Sequence, residues 1–240
     1  MPIRFRRYVV NKVMKWGMVF LLSMAVCGNA MAAFVLNGTR FIYEEGKKNL
    51  SFEVTNQAEE TFGGQVWVDN TNQGDGVYMV PAPPFFKIGA NQKQIVRIMK
   101  TDSRLPTDRE SLFWLNVQEI PPKPKTEDKN VLSVAVNTKV KLIYRPKSLI
   151  EGRKEAEKTI RVVHNGGKTY LSNPTPYYFA VIGVKVNGQA VKLSSAEQNA
   201  LAQMAPLSEV LIGKHALNGT VTIDAVNDWG GVDSYTLLKG

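Results

Sequence analysis

The chain has 240 residues, 44% of them hydrophobic and 21% charged, with 30 Lys and Arg against 21 Asp and Glu for a formal net charge of +9. That length allows one or two domains with a sizeable core. The basic excess is uneven: Arg4, Arg6, Arg7, Lys12 and Lys15 precede any acid, and beyond Ala32 the count is 25 against 21, a net +4 that withdraws the main support for nucleic-acid binding.

After those cations comes an apolar stretch from Trp16 to Cys27, then small residues ending Ala30-Met31-Ala32. This order predicts a secretory signal peptide over residues 1–32, cleaved after Ala32. The stretch is too short for a retained bilayer span, which needs roughly 20 residues, and no later run approaches that length. Cys27 as a lipid attachment point is disfavoured by the bulky Val26 before it and by the small-x-small site beyond it. The expected exported chain, residues 33–240, contains no cysteine, so its fold does not depend on disulfides despite an oxidising compartment.

Short alternating runs follow: Leu50 to Val54, Gln65 to Val68, Gln94 to Ile98 and Leu112 to Val117. Turn-rich stretches, Asn70 to Gly76 and Pro81 to Pro84, separate them. Strands of this length between such turns predict an all-β sandwich. From Lys147 to Lys158 the chain is charged and weakly apolar, and the strand pattern resumes at Thr159 to Val163. The boundary therefore falls here, giving domains 33–147 and 148–240. Further strands are expected at Lys168 to Ser172, Tyr178 to Val186, Val191 to Leu193, Ser208 to Ile212, Gly219 to Ala225 and Ser234 to Leu238. Ala196 to Met204 reads as a helical turn or a loop.

Asn130 to Tyr144 is unusual. Leu132, Val134, Val136, Thr138, Val140, Leu142 and Tyr144 occupy alternate positions, the period of a strand with one apolar face. Fifteen residues at about 3.3 Å each reach roughly 50 Å, far beyond the ordinary strand of five or six residues. Two explanations stand open at this point. Either the half carrying Leu132, Val134 and Val136 runs past the sandwich as an edge offered to a partner, or a bulge shortens the strand and the whole face covers the core.

Leu105-Pro106-Thr107-Asp108-Arg109-Glu110-Ser111-Leu112-Phe113-Trp114-Leu115-Asn116-Val117, followed by Glu119-Ile120-Pro121-Pro122, resembles the signature of the periplasmic pilus chaperone family. Asn137 to Pro146 is similar to the end of that family's donor strand, and Asn173 to Tyr178 and Asn227 to Gly231 carry the likeness into the second domain. The short, cysteine-free connector Pro121 to Lys129 resembles the short-loop subfamily. The resemblance implies two immunoglobulin-like β-sandwiches in a boomerang arrangement, located in the periplasm. It implies fimbrial subunits as partners, each lacking a strand that the chaperone lends until fibre assembly, and an outer-membrane usher that receives them. Leu132, Val134 and Val136 match the donor side chains, Arg40 and Lys141 the cations that grip the subunit's C-terminal carboxylate, and Glu110, Arg145 and Asp228 the interdomain ion cluster. No cofactor or metal is implied, and a free donor edge can also pair with a second copy.

Rival functions are weaker. An enzyme is disfavoured because the exported chain has no thiol nucleophile, no phosphate-binding loop and no metal-ligand spacing, and its two histidines, His164 and His215, sit in unrelated contexts. A structural fimbrial subunit would be one incomplete sandwich rather than two. A generic periplasmic binding module shares the fold class, so the fold does not separate it from a chaperone.

Overall fold

The computed structural model describes residues 32–101, 104–123, 133–213 and 217–237. Residues 1–31 of the expected leader, with Cys27, lie outside them, as do Leu132 and His215. Nine strands build the first sandwich: β1 (Phe34–Leu36), β2 (Arg40–Glu44), β3 (Leu50–Asn56), β4 (Phe62–Asn70), β5 (Met79–Ala82), β6 (Phe85–Ile88), β7 (Lys93–Lys100), β8 (Ser111–Ile120) and β9 (Asn137–Arg145). One sheet has the order β1-β3-β7-β5 and the other β2-β9-β8-β4-β6. The chain therefore changes sheets across Asn37-Gly38-Thr39, which frees β2 to run parallel to β9 while every other pairing in this sandwich is antiparallel.

Inward residues alternate as the pleat requires. Phe52 and Val54 of β3, Val96 and Ile98 of β7, Phe113, Leu115 and Val117 of β8, and Leu142 and Tyr144 of β9 meet in one core. Each such side chain, taken out of water, contributes about 1.5–3 kcal/mol. Leu112 and Asn116, on the opposite face of β8, are also buried, Asn116 donating to Asp69 and accepting from Asn137.

Three short 3-10 helices, Lys147–Leu149, Glu151–Arg153 and Ala156–Thr159, lead into the second sandwich. Its strands are β10 (Arg161–Asn165), β11 (Lys168–Asn173), β12 (Val181–Val186), β13 (Gln189–Ala190), β14 (Ser208–Leu211), β15 (Val221–Val226) and β16 (Val232–Thr236), in sheets β10-β11-β14 and β13-β12-β15-β16. A separate core of Ile160, Leu171, Phe179, Leu201, Met204, Ile212 and Ile223 holds them together. The strand expected at Val191 to Leu193 is displaced to β13, with Val191 adding one more backbone bond to Val184 at 2.9 Å. The helical turn becomes α1 (Ser195–Ala202), closed at its start by a reciprocal capping box between Ser194 and Glu197.

Each sandwich uses one buried asparagine to pin a strand end. Asn56 donates from Nδ2 to the carbonyls of Glu60, Ile88 and Gly89 at 2.8–3.0 Å and accepts from the Ala58 N–H. Asn173 donates to Tyr177 and Ala205 and accepts from the Thr175 N–H. Asn56→Ala would strand these partners and is expected to lower the unfolding free energy by about 2–3 kcal/mol in urea titration.

Candidate functional site

Strand β9 begins at Asn137, later than its apolar alternation, for a pairing reason. Its partner β8 reaches it only as far as Gln118 opposite Asn137, with one further bond from the Glu119 N–H to the Val136 carbonyl at 2.9 Å. On its other side β2 starts at Arg40 opposite Lys141. Among the described residues, then, no strand pairs with that side of Asn137 to Val140. The backbone groups there form a free edge.

The apolar row emerges from the core along this edge. Leu142 and Tyr144 are fully buried and Val140 packs against the core as a partly buried residue, whereas Val136 is 36% and Val134 63% exposed. Half of the row serves its own sandwich, and the described part of the other half faces solvent.

The edge starts at two cations. Arg40 and Lys141 are register partners on adjoining strands, which run about 4.8 Å apart. Both reach the second sandwich: Arg40 Nη1 donates to the Val226 carbonyl at 2.8 Å, and Lys141 Nζ donates to the carbonyl of Ala202, the last residue of α1. That helix has no basic residue in its own last turn, so Lys141 supplies the positive charge its C-terminus favours. Burial, reinforced by the neighbouring Arg40 charge, pushes the Lys141 ammonium down to about 8. Arg40 is likewise lowered by burial, against the attraction of Asp228. Two poorly compensated cations side by side favour an incoming anion.

Behind them Arg145 binds both sandwiches together. Its Nε lies 2.6 Å from Glu110 Oε1 and its Nη1 2.7 Å from Asp228 Oδ2. The other Glu110 oxygen accepts from the Tyr178 N–H at 2.7 Å, and the Glu110 N–H donates to Pro176. Arg145 is 4% and Glu110 2% exposed, so this is a buried cluster and not a solvated pair. Burial opposes the Arg145 charge, but the Asp228 bond and the two carboxylates hold its pKa above the ordinary arginine value. Burial also works against the Asp228 carboxylate, yet Arg145, with Arg153 and Arg40, keeps it below the usual range. Glu110 goes the other way, raised by burial that Arg145 only partly offsets.

The cluster is larger than the three residues expected. Arg153 meets both Glu157 oxygens at 2.7 and 2.9 Å and approaches Asp228 Oδ1 at 3.5 Å. Arg153 and Glu157 come from the segment read as a charged connector, and both are buried. Their i,i+4 spacing was the available signal. A hollow of about 650 Å³, walled by Glu44, Arg145, Arg153, Lys154, Asp228 and Trp229, opens beside them. His164 stands apart from all of this on exposed β10, within 3.0 Å of Thr169 Oγ1.

Residues 33–150 match the family model for the pili and flagellar-assembly chaperone, PapD N-terminal domain, and residues 155–237 that for the pili assembly chaperone PapD, C-terminal domain. The chain is 47% identical over 224 residues to chaperone protein FanE of Escherichia coli, covering 92% of this chain and 98% of that protein. It is 38% identical over 236 residues to chaperone protein FaeE of Escherichia coli, covering 97% and 89%. Among solved structures it resembles a chain of the complex between Salmonella enterica SafA pilin and the SafB chaperone, with a TM-score of 0.74 and 25% identity over 87% of this chain and 97% of that one. The YadV chaperone matches with a TM-score of 0.65 and 31% identity over 86% and 100%.

Proposed function

The chain belongs to the family of pili-assembly chaperones, and we propose that it captures fimbrial subunits in the periplasm by lending them the free edge of β9. One observation carries this reading: an unpaired edge whose apolar row leaves the core and whose inner end is marked by two adjacent cations. A subunit lacking one strand exposes an apolar groove and unpaired backbone groups, both of which drive aggregation. Val134 and Val136, with Leu132 continuing the row, would fill that groove while the edge completes the sheet.

Register is the remaining problem, because a slip of one residue would turn the apolar row out of the groove. A C-terminal carboxylate held by Arg40 and Lys141 fixes where pairing starts. Arg40 can grip it with two parallel bonds and Lys141 as a point charge. Glu110, Arg145 and Asp228 would keep the two sandwiches placed so that both cations face the same carboxylate. Delivery to an outer-membrane usher follows, with the lent strand exchanged for that of another subunit. Without a client, the edge can pair with a second copy of the chain.

The test is co-expression in a periplasm with a candidate fimbrial subunit, measuring soluble subunit that co-purifies. Wild type should rescue it. Arg40→Ala, Lys141→Ala and Val134→Asp, each verified as folded by circular dichroism, should recover roughly tenfold less or lower, since each loses a charge-assisted bond or sets a charge in an apolar groove. Equal recovery with all three would refute the assignment of the edge and the anchor.

A further inference from the structure

Among the described residues three carboxylates are buried, Glu110, Glu119 and Glu157, and two of them meet an arginine, Glu110 with Arg145 and Glu157 with Arg153. No cation pairs with Glu119 among the described residues. It is 3% exposed, and its Oε1 accepts one bond, from the Phe34 N–H at 2.8 Å. A glutamate buried this deeply is rare unless a positive charge neutralises it, because the ionised carboxylate has given up its hydration.

The missing cation lies one residue back along the chain. Hydrolysis of the Ala32–Ala33 bond leaves a carboxylate on Ala32 and a free α-ammonium on Ala33, the residue before Phe34. One residue spans at most about 3.6 Å, so this nitrogen stands beside the carboxylate that takes the Phe34 bond. Ala33 is also held in place: it is buried, its carbonyl accepts from the Gln57 N–H at 2.7 Å, and Phe34 pairs with Asn56 on β3. The match to the family's N-terminal domain begins at this same residue.

Glu119 reaches from β8 to the start of β1, which belongs to the opposite sheet, while its own N–H bonds the Val136 carbonyl, where the apolar row leaves the sandwich. One residue therefore joins the new terminus to the root of the free edge. Resting on the reading of residues 1–32 as a cleaved leader, we propose that Glu119 is the receiving site for the α-ammonium that cleavage creates. The buried pair completes the end of the first sandwich from which the edge emerges. Before cleavage the same carboxylate faces a neutral amide and has no counter-charge, so removing the leader stabilises the fold where β9 leaves it.

The exported protein, purified from a periplasm, should show the intact mass of residues 33–240. That chain is compared with one that keeps Ala30-Met31-Ala32, released from a removable fusion partner, each with and without Glu119→Gln, by urea titration at pH 7. In the 33–240 chain Glu119→Gln should lower the folding equilibrium constant roughly hundredfold or more, as loss of one partner of a buried pair does, and the three added residues alone should cost a similar factor. In the extended chain Glu119→Gln should cost nothing or stabilise, since there it removes an uncompensated charge. An equal cost in both backgrounds is what a merely structural Glu119 gives, and it overturns the inference. Should the substitution unfold the 33–240 chain, the two unsubstituted chains still decide, because equal stability with and without the added residues contradicts the pair. An exported mass that begins at another residue overturns the leader reading and the pair together, whereas the correct mass with no difference in stability overturns the pair alone.

Discussion

Arg145→Met is expected to cost about 3–5 kcal/mol of unfolding free energy near pH 7.5, because removing one partner of a buried ion cluster leaves the others charged and uncompensated. A surface pair would cost only about 0–1 kcal/mol. Burial decides between the two, and Arg145 and Glu110 are both buried, with their contact at 2.6 Å. Glu110→Gln should cost less than Arg145→Met, since burial already raises the Glu110 pKa and so disfavours the charge the substitution removes. The sign with pH follows. In Arg145→Met the buried Glu110, whose pKa burial already raises, loses the cation that partly offsets that burial, so the penalty is full above its folded pKa and shrinks as pH falls through it. In wild type, Asp228 is lowered, so its stabilisation is present above its unfolded pKa and lost as pH falls through the folded value. Urea titrations at pH 7.5 and 5 should show a smaller gap between variant and wild type at the lower pH, and calorimetry of the variant should resolve two transitions where the cluster no longer couples the sandwiches. A gap below 1 kcal/mol at both pH values would mean that the cluster does not hold them together.

The two sandwiches were legible because alternating strands and their turns carry period two directly in the residues. β8 shows what alternation conveys: Phe113, Leu115 and Val117 face the core as the pattern demands. What alternation does not convey is which backbone groups find a partner. The apolar period runs on to Leu132, while β9 pairs only from Asn137, because its ladder with β8 ends at Gln118 and β2 meets it only from Lys141 onward. Arg153 and Glu157 were missed for a related reason. They sit in 3-10 turns with neither a two-residue nor a 3.6-residue period, and an Arg and a Glu four apart look alike on an exposed helix and in a buried one. Arg153 is met there by groups distant in sequence, the Tyr177 and Phe179 rings at 5.7 and 5.3 Å and Asp228 at 3.5 Å, which the local sequence does not reveal. In α1 the capping box at Ser194 was readable, but a single buried residue, Leu201, gave too little apolar pattern to distinguish the helix from a loop.

The anchor itself should titrate. In the free chain burial and Arg40 hold Lys141 at about 8, so it is mostly charged at pH 7 and mostly neutral at pH 9.5. A bound carboxylate favours the charged form and returns the pKa toward the ordinary 10.5, which makes capture take up a proton above pH 8. Affinity for the subunit should therefore fall as pH rises from 7 to 9.5, by roughly twenty- to thirtyfold if the ordinary value is fully regained. Dissociation of the purified complex, followed by size exclusion across that range, reads the effect. Lys141→Arg keeps the charge throughout and should flatten the profile. Lys141→Met should bind more weakly at pH 7 and also show no fall, since Arg40 remains protonated over the whole range. The client's own groups are the same in all three experiments, so a slope that survives in both variants belongs to the subunit. A slope present only in wild type places the carboxylate against the Lys141 ammonium, since a lysine that merely caps α1 would titrate without changing what the subunit binds.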